Sequence, residues 1–470
     1  MKSSTPKISR RRFIAATATA LAAPTFIPAS ALGRDQRVAP SERIVIGIVG
    51  WGMQGPHNTR MLMAEKDCQV VAACDLDKRP LQQAVDAVNK KYENKDCKAY
   101  HDYREMFARE DIDAVMIAIP DHWHALAATE ACKQKKDVFG EKPLARTIAE
   151  QQAIVKAVQK NKRIWQTGSW QRSEAPFHMA AEIVRNGLIG KVTQVEVGLP
   201  GGHHDFKGTA PALLKKLGQS PQNAASLATL VPGTDAWNTA VSQPPPELDY
   251  DTWIGPSRTE PYIEARVHMN WRWNYNTGGG QLLDWIGHHG DIAHWGLDFD
   301  NDGPMEVEGT GEFPPQNALW NTCTKYRVTL KYPKEVTMTI AGGHSDIKSG
   351  TKWIGTDGWV WVDRGGFERG FDASNPEWKQ WKVVPDNLRK VKLYESRNHW
   401  RNFVDCIKSR KPTITPVETA HHSAIPGHLG LIAMMVGRKI KWDAKKEKII
   451  GDSEASKLLT RPYRMPWKLA

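Results

Sequence analysis

Residues 43–55 read RIVIGIVGWGMQG. The first half is a continuous apolar, β-branched run, the pattern of a parallel strand buried on both faces. It runs straight into Gly50-Trp51-Gly52-Met53-Gln54-Gly55, a G-x-G-x-x-G. Each glycine has a separate physical reason. Gly50 permits the tight turn, Gly52 lets a pyrophosphate approach the backbone, and Gly55 lets the next helix pack close to the strand. The N–H groups that open that helix then face the phosphates. A second run, QVVAACD, ends on Asp75, twenty positions past Gly55. An acid there accepts from the hydroxyls of an adenosine ribose, which favours NAD; Lys78 and Arg79 leave NADP open.

Outward from this stretch the periods alternate. Residues 81–92, 124–134 and 148–161 carry helical patterns, and 112–120, 136–145 and 164–172 read as strands with their exits. The alternation predicts a doubly wound parallel sheet of the Rossmann type. Ligands bind beyond the carboxyl ends of such strands. Three segments stand there: Pro120-Asp121-His122-Trp123-His124, Glu141-Lys142-Pro143, and 168–172 with Gln171 and Arg172. A substrate or cofactor contact is open to Gln171 and Arg172.

After residue 172 the texture changes. Close-spaced alternating segments at 192–199, 306–313, 325–332, 335–342 and 351–363 predict a mostly antiparallel sheet. Between 278 and 291 the chain reads GGGQLLDWIGHHGD. Asp284, His288 and Asp291 are spaced four and three apart and share one stripe of an ideal helix. Ionisable groups on a buried helix cost free energy unless partnered or used. Trp271, shortly before the glycines, is a candidate wall for a sugar ring.

The ordered set of G-x-G-x-x-G, an acid closing the second strand, I-P-D-x-x-H, E-K-P and G-G-G-x-x-x-D-x-x-x-H-x-x-D resembles the glucose–fructose oxidoreductase / inositol dehydrogenase (Gfo/Idh/MocA) family. The likeness runs from about residue 43 to the end. It implies an α/β chain: an N-terminal Rossmann domain, then an α+β domain built on a large, mostly antiparallel open sheet. The expected boundaries are 43–167 and 168–440, with an unplaced insertion at 201–246 and a tail at 441–470. By matching position the resemblance makes Lys142, Asp284 and His288 catalytic. It places a dinucleotide against Gly50, Gly52, Met53, Gln54, Gly55, Asp75, Pro120, His124, Glu141 and Lys142. Substrate contacts are expected from Gln171, Arg172, Asp284, His288, Asp291 and Trp271. Pro143 is expected to follow a cis bond. The implied reaction moves a hydride between a nicotinamide and a secondary hydroxyl of a sugar or glycoside. His288 would serve as base, Asp284 would raise its basicity, and Lys142 would steady the developing alkoxide. Two alternatives use the same fold: redox-neutral glycoside cleavage by oxidation, elimination, hydration and reduction, and carbohydrate binding without turnover. A homo-oligomer, dimer or tetramer, is implied by resemblance.

The formal charge of +12 does not imply nucleic acid. Lys2, Lys7, Arg10, Arg11 and Arg12 concentrate in the first 31 residues, which hold no acid, and the other basic residues are dispersed. Ser9-Arg10-Arg11-Arg12-Phe13-Ile14, a weakly apolar run and Ala29-Ser30-Ala31 resemble a cleavable twin-arginine signal over 1–31, with a linker at 32–42. The expectation is export to the periplasm by the twin-arginine machinery, with no membrane span once the signal is removed. That route carries folded proteins, so the NAD is expected to be tightly bound. The six cysteines lack zinc-type spacing and read as free thiols. His203-His204-Asp205 and the His pairs at 288/289 and 421/422 suggest no coherent ligand set, and no metal is expected.

Overall fold

The computed structural model describes residues 38–206 and 208–469. The twin-arginine pattern and its cleavage site lie outside the described residues. The chain divides into two compact units at Arg43/Ile44. The described part of the first holds a 3-10 turn at Pro40–Glu42. The second carries everything else.

The second unit opens with a parallel sheet. Its strands are β1 (Ile44–Val49), β2 (Cys68–Cys74), β3 (Lys98–Tyr100), β4 (Ala114–Ile117), β5 (Asp137–Gly140) and β6 (Trp165–Thr167). They pair in parallel, in the order β3-β2-β1-β4-β5-β6. The helices between them are α1 (Gln54–Leu62), α2 (Lys78–Tyr92), α3 (Tyr103–Phe107), α4 (Asp121–Lys133) and α5 (Ile148–Asn161). Strand β1 shows why its sequence is apolar throughout. Ile46 and Ile48 join a core with Phe403 and Ile407, whereas Val49 joins a core with Phe107 and Val138 on the other face. Asp77 caps α2 by accepting from the Arg79 N–H, and Thr147 caps α5 by accepting from the Glu150 N–H.

Helix α6 (Ala175–Arg185) leads into a nine-stranded sheet. Its members are β7 (Val192–Leu199), β8 (Glu306–Glu312), β9 (Lys325–Lys331), β10 (Thr337–Gly342), β11 (Gly350–Gly355), β12 (Trp359–Val362), β13 (Phe371–Ala373), β14 (Ile440–Asp443) and β15 (Lys448–Ile450). The order is β13-β12-β11-β7-β10-β9-β8-β14-β15, antiparallel except where β7 meets β10. The alternation along β9 is visible in its burial: Tyr326, Val328 and Leu330 point into the core.

The insertion that the sequence left unplaced folds. Helices α7 (Ala210–Lys216) and α8 (Asp235–Ala240) bury Leu214 and Trp237 with Trp273 and Trp320. Helix α9 (Tyr250–Ile254) follows, then α10 (Gly280–Trp285), a π-helical turn at Ile286–Gly290, and α11 (Asp291–Leu297). The short α12 (Gly366–Arg369) precedes α13 (His399–Ser409) and α14 (Val417–Val436). Phe403, Val404 and Ile407 of α13 seal one face of the parallel sheet. After α15 (Ser453–Lys457) the tail returns to the parallel-sheet half. There Arg461 donates to Glu150 Oε1 at 2.8 Å and to the His122 carbonyl at 2.8 Å, and the Trp467 ring meets Trp123 edge-on. Among the described residues no helix is long and apolar enough to cross a membrane.

Candidate active site

A cleft of about 1270 Å³ opens where β1, β2, β4 and β5 end, lined at those ends by Val49, Cys74, Ala118 and Glu141. Its floor is the glycine turn. Gly50 has φ +92°, and a Cβ there would lie 2.2 Å from the Ala118 carbonyl oxygen, so no side chain is admitted. A Cβ on Gly55 would lie 2.1 Å from the Gly50 oxygen, which fixes how closely α1 approaches the turn. At Gly52 a Cβ would meet nothing within 4 Å. No side chain caps α1, unlike α2 and α5, and its first turn holds no acid. Asp75 ties the turn together: Oδ2 accepts from the Trp51 N–H at 2.9 Å and Oδ1 from the Asp77 N–H at 3.0 Å. Burial pushes its carboxyl up to about 6 against those two N–H groups. An uncapped helix start, a side-chain-free turn and an acid beside them are the donor set a dinucleotide requires, so the residues fit NAD.

At the adenosine end two of the cations are already engaged, while Lys78 is exposed. Arg79 pairs with Asp77 at 3.0 Å and Arg104 with Asp102 at 2.6 Å. Pro120, Met53, Gln54, Glu141 and Lys142 line the cleft with Gly50, Gly52 and Asp75. Glu141 is buried, accepts from Asn58 Nδ2 at 2.7 Å, and is pushed upward by burial. His124 departs from the sequence reading. Its Nδ1 meets the Pro143 carbonyl at 2.8 Å and its Nε2 the Ile119 carbonyl at 2.9 Å. It is buried behind the wall and ties the β4 exit to the β5 exit.

The three residues assigned to catalysis do converge. Lys142 Nζ donates to Asp284 Oδ1 at 2.9 Å and to the Asp284 carbonyl at 2.7 Å, across 142 positions of sequence. The Lys142–Pro143 peptide is cis. Arg272 Nε donates to the same Oδ1 at 3.2 Å. Burial acts to raise the Asp284 carboxyl, but Lys142 and Arg272 outweigh it and hold the group at about 2. His288 lines the same wall, with the Trp285 and Trp170 rings edge-on at 5.5 and 6.2 Å. Its buried Nδ1 has no hydrogen-bond partner among the described residues. Burial, followed by the charges of Lys142 and Arg364, holds this imidazole well below its usual value. The expectation that Asp284 raises His288 basicity is therefore corrected: Asp284 is committed to two cations, and His288 is a neutral acceptor.

The helical stripe is corrected as well. An ideal α-helix would present Asp284, His288 and Asp291 together. The π turn at Ile286–Gly290 winds more slowly, which keeps His288 above Asp284 and swings Asp291 away from the cleft. Asp291 is buried and clamped by Arg172, with Nε to Oδ2 at 2.7 Å and Nη2 to Oδ1 at 2.8 Å. Arg172 also holds Asp300 and lies over the Trp295 ring at 5.1 Å. Gln171 is buried with Nε2 3.4 Å from His289 Nδ1. None of Gln171, Arg172 and Asp291 lines the cleft; they brace the wall from behind. Trp271 does line it, with Arg272 stacked on its ring at 4.4 Å. His203 Nε2 bonds the Thr322 hydroxyl and carbonyl at 3.0 Å, and Asp205 accepts from Ala210 N–H at 2.8 Å and Asn270 Nδ2 at 2.7 Å.

Three further residues of the cleft carry no catalytic or cofactor assignment in the sequence reading, although Arg272 is grouped there with Trp271, Trp273 and Tyr275 as a candidate sugar wall. Asp121, buried beside Asp284, has its carboxyl pushed up to about 7, first by burial and then by the Asp284 charge. Its signal was present in I-P-D-x-x-H. Arg272 sits in W-R-W, just before the three glycines. Arg364 has no local signature, because only the pairing of β12 brings it here. Its guanidinium stacks on Trp285 at 4.5 Å and Trp170 at 4.6 Å, and its buried Nε and Nη2 have no partner among the described residues.

Known proteins share this architecture. Residues 44–169 match the oxidoreductase family, NAD-binding Rossmann fold, and residues 233–469 match the oxidoreductase family, C-terminal alpha/beta domain. The chain is 35% identical over 167 residues to an inositol 2-dehydrogenase of Salmonella typhimurium, covering 35% of this chain and 47% of that protein. It is 30% identical over 157 residues to a glycosyl hydrolase family 109 protein of Shewanella woodyi, covering 32% and 33%. The chain thus spans about half, or less, of the curated relatives it matches. An aldose-aldose oxidoreductase from Caulobacter crescentus, solved with glycerol, superposes with a TM-score of 0.57 at 18% identity, over 85% of this chain and 99% of that one. The two family models cover the whole parallel sheet and every strand of the nine-stranded sheet except β7, and the chain belongs to the Gfo/Idh/MocA oxidoreductase family.

Proposed function

We propose that this protein oxidises a secondary hydroxyl of a sugar or glycoside with a tightly bound NAD. The observation that carries the reading is the meeting of Lys142, from the end of β5, with Asp284 and His288, from the α10 and π-turn segment, on one wall of the cleft. When bound, NAD takes up the two electrons and the hydrogen of the carbinol carbon. The side chains handle the rest. Lys142, an ammonium held by Asp284, donates to the substrate oxygen and favours its alkoxide character. His288 lines the cleft wall as a neutral imidazole, so its cleft-facing side is placed to accept the hydroxyl proton. Trp271, Trp170 and Trp285 offer apolar faces to a sugar ring. Arg364, which lines the cleft, offers its positive charge to a hydroxyl or carboxylate of the substrate. NAD is favoured over NADP because Arg79 and Arg104 are already paired with carboxylates.

The resemblance to the family 109 relative favours a second reading, in which the oxidised sugar undergoes elimination, hydration and return of the hydrogen, with no net redox change. The third, sugar binding without turnover, leaves the convergence of Lys142 and His288 without a use. We further place the protein outside the cytoplasm, exported folded by the twin-arginine route and working as a homo-oligomer on a small sugar or glycoside. Denaturing purified protein and assaying the supernatant for NAD tests the resident cofactor. Incubating native protein with a panel of glycosides, with and without a keto-sugar acceptor, tests the reaction. Acceptor-dependent oxidation supports the first reading, cleavage without an acceptor the second, and no turnover the third.

A further inference from the structure

Away from the cleft, His421 and His422 at the start of α14 face Glu447 in the turn between β14 and β15. One nitrogen of each ring and one carboxylate oxygen lie within 4.8 Å of one another. Neighbouring hydrogen bonds decide which nitrogen carries the proton. His422 Nδ1 lies 2.7 Å from the Asp300 carbonyl, which can only accept, so Nδ1 holds the hydrogen and Nε2 is bare. His421 is fixed by a longer relay. His428 is fully enclosed, burial lowers its pKa, and its Nε2 lies 2.7 Å from Gln151 Nε2, an amide nitrogen that can only donate, so this ring nitrogen accepts. That turns Gln151 Oε1 toward His421 Nδ1, at 2.8 Å. His421 Nδ1 therefore donates, and its Nε2 is bare as well.

Both bare nitrogens point at one oxygen. Glu447 Oε1 lies 2.9 Å from His421 Nε2 and 3.4 Å from His422 Nε2, while Gln152 Nε2 occupies Oε2 at 2.7 Å. Three acceptors facing each other repel unless positive charge stands between them. One source is a proton on His422, where burial acts to lower the imidazole but the Glu447 and Asp300 oxygens outweigh it and raise it, giving an ordinary ion pair. A single divalent ion meets all three acceptors at once. Two ligands each ~2.0–2.1 Å from a tetrahedral zinc stand about 3.3 Å apart, close to the 2.9 and 3.4 Å that separate Glu447 Oε1 from the two rings. An Nδ1–H donated to an oxygen acceptor is also the outer contact that metal-ligating histidines make.

We propose that His421 Nε2, His422 Nε2 and Glu447 Oε1 bind a structural divalent cation of the zinc class, with water completing the tetrahedron. The ion would staple three parts of the chain: α5, through Gln151 and Gln152; α14; and the β14–β15 turn. The Asp300 carbonyl adds the segment after α11. It has no part in the cleft chemistry.

The test uses the full chain as purified. Metal content is measured by mass spectrometry. The protein is then stripped with a chelator and titrated with zinc sulfate by calorimetry, and with cobalt chloride while the visible spectrum is followed. The proposal expects about one equivalent of zinc, intense tetrahedral cobalt bands, and a thermal unfolding midpoint that rises on zinc addition. Glu447→Gln, near-isosteric and partly exposed, should abolish stoichiometric binding and the zinc-dependent midpoint shift. Gln151→Leu should weaken binding ~10–100-fold. Retained NAD and an unchanged circular dichroism spectrum establish that each variant is folded. Stripped wild-type protein that binds no stoichiometric zinc or cobalt overturns the proposal. So does Glu447→Gln protein that binds zinc as the wild type does.

Discussion

A Cβ placed on Gly287 would lie 2.9 Å from the Cβ of Lys142. The π turn and the lysine strand are therefore in direct contact, and residue 287 sets how far Lys142 can lean toward the substrate. A methyl there must displace one of the two. Gly287→Ala should lower kcat by about 100-fold, the cost of moving a catalytic group by roughly 1 Å. Bound NAD should be retained. Steady-state kinetics on the preferred glycoside, with NAD quantified after denaturation, checks both parts.

Lys142→Met removes the donor to the substrate oxygen and should reduce kcat by at least ~100–1,000-fold. It also alters acid behaviour. The Asp284 carboxyl is held at about 2, below its unfolded value, so its contribution to stability is present above pH ~4 and is lost as pH falls toward 2. With one of the two cations gone, that loss should be smaller and should be complete at higher pH. Urea midpoints of wild type and variant at several pH values from 2 to 6 measure it.

Asp121 predicts the opposite slope. Its folded carboxyl is raised to about 7, so between pH ~4 and 7 the native state holds a proton the unfolded chain has released. Stability from this group is full below pH ~4 and falls as pH rises toward 7. Asp121→Asn should flatten that fall. The difference in unfolding midpoint between variant and wild type should favour the variant more at pH 8 than at pH 5.

Arg364→Met should raise KM by ~10–100-fold with little change in kcat, because the guanidinium and its contacts with the Trp170 and Trp285 rings are lost. A fall in kcat at unchanged KM would place Arg364 in the proton chemistry instead.

Arg172→Met should behave quite differently from a substrate-contact variant. It strands Asp291 and Asp300 without their cation and should cost about 3–5 kcal/mol of stability. The protein that remains folded should keep a near-normal KM. Chemical denaturation and kinetics on the same preparation separate the two effects.

The contrast between Asp284 and Asp291 shows where the sequence stops informing. Local signals carry the parallel sheet, because strand runs, helix periods and Gly50 each act within a few residues. The placement of Lys142 opposite Asp284 came from resemblance, and the geometry agrees with it. Asp291 was misplaced because a one-residue change in winding is invisible to a count based on 3.6 residues per turn. Arg172 was misread for another reason: at a strand end a free cation and a buried one look alike until the partner acid, 119 positions away, is in place. Arg364 could not be found at all, since its neighbours Trp170 and Trp285 meet it only through the packing of the two sheets.

The tail around Arg461 and Trp467 closes against Glu150 and Trp123, side chains made 311 and 344 positions earlier. A ribosome therefore releases the nucleotide half long before it releases the piece that latches it. Until residues 461–467 emerge, the buried Glu150 carboxylate and the Trp123 indole wait without these neighbours. Assembly of this half is held back to the arrival of that segment, however early its own strands have paired.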